Sequence, residues 1–233
     1  MEKTAYLPIL ICAVLVISGC NTTGLSMREN GSFNYSNFIY GLYDKDNNAK
    51  NEKRNIKKPV KLAVAQVGEN SPPQAILDRL GEEPQLFSSI ISLPAGGGPR
   101  YYGDARDNNN AEFEERMVKM RKLAHDLDTD YIFLFGGSAD YGSTANWLQF
   151  FDITLIGGFL LPSNQINAEG RAAGALIDVA TGQVIFMVNS EAKKQESAAT
   201  FNVYERQDKV VVKLRDELVS SLGEEFLDKM YSL

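Results

Sequence analysis

The chain has 233 residues, 44% of them hydrophobic and 23% charged, and a formal net charge of -6. That acidic balance argues against a nucleic-acid partner, whose phosphates call for a concentrated basic face. With only two cysteines and one histidine, neither a disulfide framework nor a metal site built from several imidazoles is expected, and no cofactor motif is present.

The first element is a short apolar run, Leu7 to Ile17, behind one basic side chain, Lys3. Such a run is too short to cross a bilayer as a helix and has the shape of a signal-peptide core. It ends at Ile17-Ser18-Gly19-Cys20, which resembles a bacterial lipoprotein signal peptide with its lipobox. The resemblance implies removal of residues 1–19 and lipidation of Cys20, whose sulfur is the nucleophile that anchoring requires. Two or three acyl chains hold a protein stably where one holds marginally. Asn21 stands where an inner-membrane retention signal favours aspartate, so the implied address is the outer membrane, periplasmic face. Cys12 would leave with the signal and Cys20 would be blocked, so packing alone must hold the mature domain.

Residues 20–58 read as a flexible tether. They are poor in aliphatic side chains and rich in Asn, Ser, Lys and Gly, with isolated aromatics at Phe33, Tyr35, Phe38, Tyr40 and Tyr43. Such a stretch cannot bury enough surface to offset its ordering entropy, and its reach is roughly 35 Å. The rival reading docks residues 33–43 on the domain or the membrane interface. Lys53, Arg54, Lys57, Lys58 and Lys61 form a basic run at the tether's end, expected as a solvated flank, with contact to anionic headgroups as the rival reading.

An α/β domain is expected from residue 59 to 233. Val60 to Val67 alternates aliphatic residues and predicts a strand. Ser71-Pro72-Pro73 starts a short helix through Leu80, with proline where no amide donor is needed. Phe87 to Leu93 is apolar and bounded by prolines, so a strand is favoured over a helical turn. Gly96-Gly97-Gly98-Pro99 opens a loop and lacks the lysine and spacing of a phosphate-binding loop. From Ala111 to Leu127, Phe113, Met117, Met120, Ala124 and Leu127 recur at helical spacing and form one apolar stripe. In the stretch Asp130 to Gly137 an unbroken apolar run follows the aspartate, as in a central strand buried on both faces. Arg171 to Val179, the turn Thr181-Gly182, and Val184 to Val188 predict a hairpin. After a polar loop, Lys209 to Met230 predicts a helix facing the core through Val211, Leu214, Leu218, Leu222 and Phe226, with Gly223 a place to bend or end. The order of elements gives a single mixed β-sheet flanked by amphipathic helices.

The same ordered pieces resemble those of the curli-secretion lipoproteins and the amino-terminal domain of the Tol translocation protein. They are the first strand near Val60, the Asp130-Tyr131 strand ending at Gly136, and the hairpin Ala175 to Asp178, Thr181-Gly182, Val184 to Phe186. The order Asn146, Asp152-Ile153-Thr154, Gly157-Gly158-Phe159-Leu160 and Pro162, followed by the Asp178 hairpin, is similar to the rhombotarget lipoprotein family. The resemblance covers about residues 60–230 and implies an envelope role. The tail, Glu224 to Leu233, has no Gly-Gly motif, apolar span or basic end, which departs from substrates of rhomboid-type sorting enzymes. The long alternating insertions that build a curli-type pore are also missing.

Candidate chemistry is sparse. His125 sits at the border of an apolar stripe with no Gly-x-Ser-x-Gly elbow elsewhere, and reads as a structural surface residue. Asp140, Asp152 and Asp178 could do acid-base work only by converging, and their neighbours lack calcium-loop spacing. Asp178 is more simply a turn residue whose carboxylate caps amides. No catalytic residue is therefore assigned. The unusual segment is Trp147 to Leu161, largely apolar but interrupted by Asp152, and too short to span a membrane. One reading buries it over the sheet; the other makes Trp147, Phe150 and Phe159 a partner-binding patch, because such a surface is costly to leave in water. The expected function is that of a lipid-anchored, non-enzymatic envelope protein that assembles with itself or binds a periplasmic partner. A small-molecule or glycan-binding module is the rival, and a hydrolase a remote third.

Overall fold

A computed structural model describes residues 56–67, 69–95, 109–145 and 162–233. Among these residues the elements are β1 (Val60–Gln66), α1 (Gln74–Gly81), β2 (Phe87–Ser92), α2 (Asn109–Asp126), β3 (Tyr131–Ala145), β4 (Asn164–Asp178), β5 (Val184–Ala198) and α3 (Val203–Ser232), with a 3-10 turn at Thr200–Asn202. They build one α/β domain around a five-stranded mixed sheet of order β2-β1-β3-β4-β5. β1 runs parallel to both β2 and β3, while β3, β4 and β5 are successively antiparallel. Parallel neighbours need a crossover, which the α1 and α2 connections supply; antiparallel β4 and β5 need only a tight turn.

Side chains two apart in a strand share a face, so each strand feeds two cores. On one face Leu62, Val64, Phe133, Phe135 and Leu176 pack under α1 and α3 with Leu80, Leu214, Leu222 and Phe226. Phe133 and Phe226 stack with ring centroids 3.9 Å apart, and Phe135 lies 5.4 Å beyond. On the other face Ala63, Ala65, Ala173 and Ala175 leave room for α2, which buries Met120 and Ala124 against Ile132, Leu134 and Ile177. The β3 segment from Ile132 to Phe135 is therefore buried on both sides, as its unbroken apolar run predicts. Ile56, within the stretch read as tether, is buried in the first core.

Several boundaries differ from those read off the sequence. β3 continues to Ala145, β4 begins at Asn164 and β5 reaches Ala198. These extensions are polar or small in composition; ladder pairing with one another, and one face covered by α3, makes them strands. α3 consequently begins at Val203, inside the expected polar loop, and runs through Gly223 to Ser232 without ending there. Gly223 is buried against Ile76 of α1. The α2 stripe also stops short of Leu127, which is 43% exposed. Asp128 at φ 56° turns the chain just after it, while the Thr129 hydroxyl donates to the Ala124 carbonyl at 2.8 Å to close the helix end.

Candidate functional site

Cys20, Trp147, Phe150 and Phe159, the residues singled out by sequence, lie outside the described residues, as does Asp152. What surrounds the 146–161 connection can be built from its two ends. Ala145 and Asn164 form the last pair of the β3-β4 ladder, so the connection leaves and returns at the same edge of the domain. Its return is clasped by a buried polar cluster. The Asn164 side-chain amide donates to the Thr200 hydroxyl at 2.9 Å, and the Ser163 hydroxyl lies 2.9 Å from the same oxygen. Ser163 is completely buried, so this hydrogen bonding offsets a desolvation cost that an unpaired hydroxyl would leave standing.

Just past the clasp the chain presents two large aromatics to solvent. Phe201 is 57% and Tyr204 is 67% exposed. Sequence reading passed them over as part of a polar loop. Their spacing of three, at the start of a helix whose core positions are Val203, Gln207 and Val210, is the signal that sets Tyr204 on the outer face.

This edge is remote from the place where the chain from the amino terminus joins the sheet. Lys61, at the start of β1, donates its backbone amide to Asp130 at 2.7 Å and pairs its ammonium with Asp128, fixing the near end beside Tyr131. β3 then runs 15 residues to Ala145. At about 3.3 Å per residue the far end stands roughly 45 Å away.

Beyond Phe135, where β1 stops, β3, β4 and β5 continue as a three-stranded extension. Ile166, Ala168, Ala172, Ala192 and Ala198 line its α3 face. Its opposite face is exposed and polar, with Gln165, Asn167, Glu169 and Arg171 on β4 facing Ser197, Gln195, Lys193 and Glu191 on β5. Lys193 donates to Glu169 at 2.8 Å and holds that carboxyl below the usual range, chiefly through the hydrogen bond. Arg171 lies 3.3 Å from Glu191. Exposed pairs of this kind contribute little stability and chiefly set the charge pattern of the surface.

Of the candidate acid-base groups, the two among the described residues, Asp140 and Asp178, are not brought together. Asp140 pairs across the sheet with Glu169, and Asp178 pairs with Tyr131, nine residues back along β3 and roughly 30 Å away. Asp178 instead caps its turn, accepting the Thr181 amide at 2.7 Å and hydroxyl at 2.9 Å, as a turn residue should. The His125 side chain is 78% exposed on α2, its ring nitrogen 3.8 Å from Asp126. Among the described residues, no group of three His, Cys, Asp or Glu side chains is disposed to hold a metal ion, and no helix is long and apolar enough to cross a membrane.

No protein-family model and no curated protein matches the chain. Among solved structures, the lipoprotein GNA1162 from Neisseria meningitidis is 13% identical, with 68% of this chain and 99% of that one covered at a TM-score of 0.33. The PelC dodecamer from Paraburkholderia phytofirmans is 9% identical, covering 70% of this chain and 90% of that one at a TM-score of 0.28. A Helicobacter pylori protein described as a homologue of neuraminyllactose-binding hemagglutinin is 9% identical, covering 79% and 88% at a TM-score of 0.34. Likeness at this level carries no functional argument.

Proposed function

We propose that this chain is a lipid-anchored, non-enzymatic component of the bacterial cell envelope that binds a protein partner at the end of its sheet remote from the anchor. Cys20 carries the lipid, Asn21 directs the protein to the outer membrane, and the domain sits on its periplasmic face. The ordered motifs from Val60 to Phe186 support placing it beside the rhombotarget lipoproteins. The single observation that carries the partner-binding reading is the domain's polarity. The chain from the amino terminus joins the sheet beside Lys61 and Asp130, and exposed Phe201 and Tyr204 lie at the other end, where Ala145 and Asn164 close the β3-β4 ladder. Large aromatics left in water are costly, and they are the side chains that anchor protein interfaces.

A photo-crosslinking amino acid at Tyr204, expressed in the full chain in its native envelope, tests this directly. Thr181, in the near-end turn, is the control position. Capture of a discrete partner from Tyr204 and none from Thr181 is expected; equal or reversed capture would sink the reading. Fractionation of Cys20→Ser tests the anchor separately, the expected result being an unprocessed or soluble periplasmic form, and unchanged outer-membrane fractionation the result that would sink it.

A further inference from the structure

We infer that the outer edge of β5 is a self-association surface, on which a second copy of this chain pairs antiparallel about a two-fold axis at Gln195. β5 is an edge strand of 15 residues, and among the described residues no strand pairs with its outer side. The direction of its backbone groups follows from one hydrogen bond. The Asn189 amide donates to the Glu225 carboxylate of α3 at 3.0 Å, away from β4. The β4-β5 register is regular from Gly174↔Val188 to Asn164↔Ala198, so the amides and carbonyls of Glu191, Lys193, Gln195 and Ser197 point the same way, outward. A ladder of outward donors and acceptors is a template for strand addition.

Lysine on an edge strand usually opposes such pairing. Here the charges are already matched within the chain. Lys193 is bound by Glu169 and Lys194 by Glu217, while Glu196 accepts from Lys213 at 3.2 Å. Glu191 and Glu196 balance Lys193 and Lys194, leaving the strand neutral between residues 191 and 197.

Charge and the Glu225 cap together select the register. Centring the two-fold on Lys193 or Lys194 sets a lysine against itself, and centring it on Glu196 sets two carboxylates together. Centring it on Ala192 requires the Asn189 amide, which Glu225 already occupies, and sets Glu196 against buried Val188. Centred on Gln195, Lys194 of each copy faces Glu196 of the other. The two ion pairs to α3 then join across the axis as Glu217, Lys194, Glu196, Lys213, alternating in sign. Lys193 faces Ser197, and the Gln195 amides meet at the axis. The interface is isologous and closes at two copies.

The test uses the full-length chain in detergent with Cys12→Ser and Cys20→Ser, so an introduced cysteine is the only thiol and the lipid plays no part. Its failure would leave the anchor and the Tyr204 reading untouched. Under oxidation, Gln195→Cys should form a disulfide-linked dimer, since residues opposed on an antiparallel ladder lie within bridging distance. Asn167→Cys, one strand inward on the same face, should not, because its copies would stand three strand spacings apart, roughly 14 Å. Gln195→Pro removes an amide that β4 does not use, and should halve the mass read by light scattering. Absence of a Gln195→Cys dimer, or equal linking through Asn167→Cys, would overturn the proposal. So would an undiminished dimer mass for a folded Gln195→Pro chain.

Discussion

Gly174 and Gly182 use the absence of a Cβ for different ends. At Gly174 a methyl group would land in the Phe133 ring, so the glycine is what lets that ring lie flat across β4 beneath Phe226. Gly182 has φ 78°, and a methyl there would meet the Arg121 guanidinium, which donates to the Val179 and Ala180 carbonyls. Gly174→Ala should cost roughly 1–3 kcal/mol through overpacking. Gly182→Ala should cost about 1–2 kcal/mol for the left-handed backbone. Chemical denaturation resolves both, and only the second should also loosen α2, read as faster amide exchange near Arg121. A second residue-scale effect depends on pH. Glu83 accepts from Tyr231 and Arg79, and both hold its carboxyl below the ordinary 4.5, Tyr231 most strongly. Arg79 does the same to Glu224. Because the folded carboxyls titrate lower than the unfolded ones, their contribution is present above the ordinary value and lost as pH falls through the depressed one. Tyr231→Phe should therefore lower the melting temperature at neutral pH and converge with the parent in acid. A constant gap across the titration would refute the linkage.

At the scale of elements, the sequence was legible in β1, in the two-sided burial of β3 and along α3. The β1 alternation, the β3 run from Ile132 to Phe135 and the α3 positions Leu214, Leu218, Leu222 and Phe226 all lie where their periodicity puts them. The strand extensions were not legible, for a physical reason. Ser190, Ala192 and Ala198 face inward on β5 while Glu191, Lys193, Gln195 and Ser197 face out, so the period of two is written in small and charged residues of low strand propensity. Pairing with β4 and cover from α3 supply what local preference lacks. Phe226 sits where these elements meet, within ring contact of Phe87, Phe133 and Phe186. Phe226→Ala should cost roughly 3–5 kcal/mol in a urea titration, because the strands around it cannot collapse into the space. A loss under about 1 kcal/mol would mean that α3 contributes little to the core, and that the long strands stand without it.

For the whole molecule, the question left sharp is what the chain does between Ala145 and Pro162. The partner-binding residues read from sequence, Trp147, Phe150 and Phe159, fall there, so the candidate site was legible only as composition. A Trp-Phe-Phe run says that apolar surface must be covered, and composition is silent about whether this domain or another molecule covers it. The two answers differ in sign for two measurements on the same variants. If Phe151 and Phe159 pack on the domain, replacing either with alanine should cost roughly 3–5 kcal/mol and leave partner capture from Tyr204 unchanged at temperatures where the variant stays folded. If they form the contact surface, the same changes should leave the urea midpoint near that of the parent and abolish capture. The burial reading is expected for Phe151 or Phe159, because fifteen largely apolar residues cannot all stay in water without cost. Trp147, nearest the polar end of β3, is expected to be the exposed anchor, so Trp147→Ala should spare stability and lose the partner. Near-native stability of both phenylalanine variants together with lost capture would move the whole segment from the core to the interface.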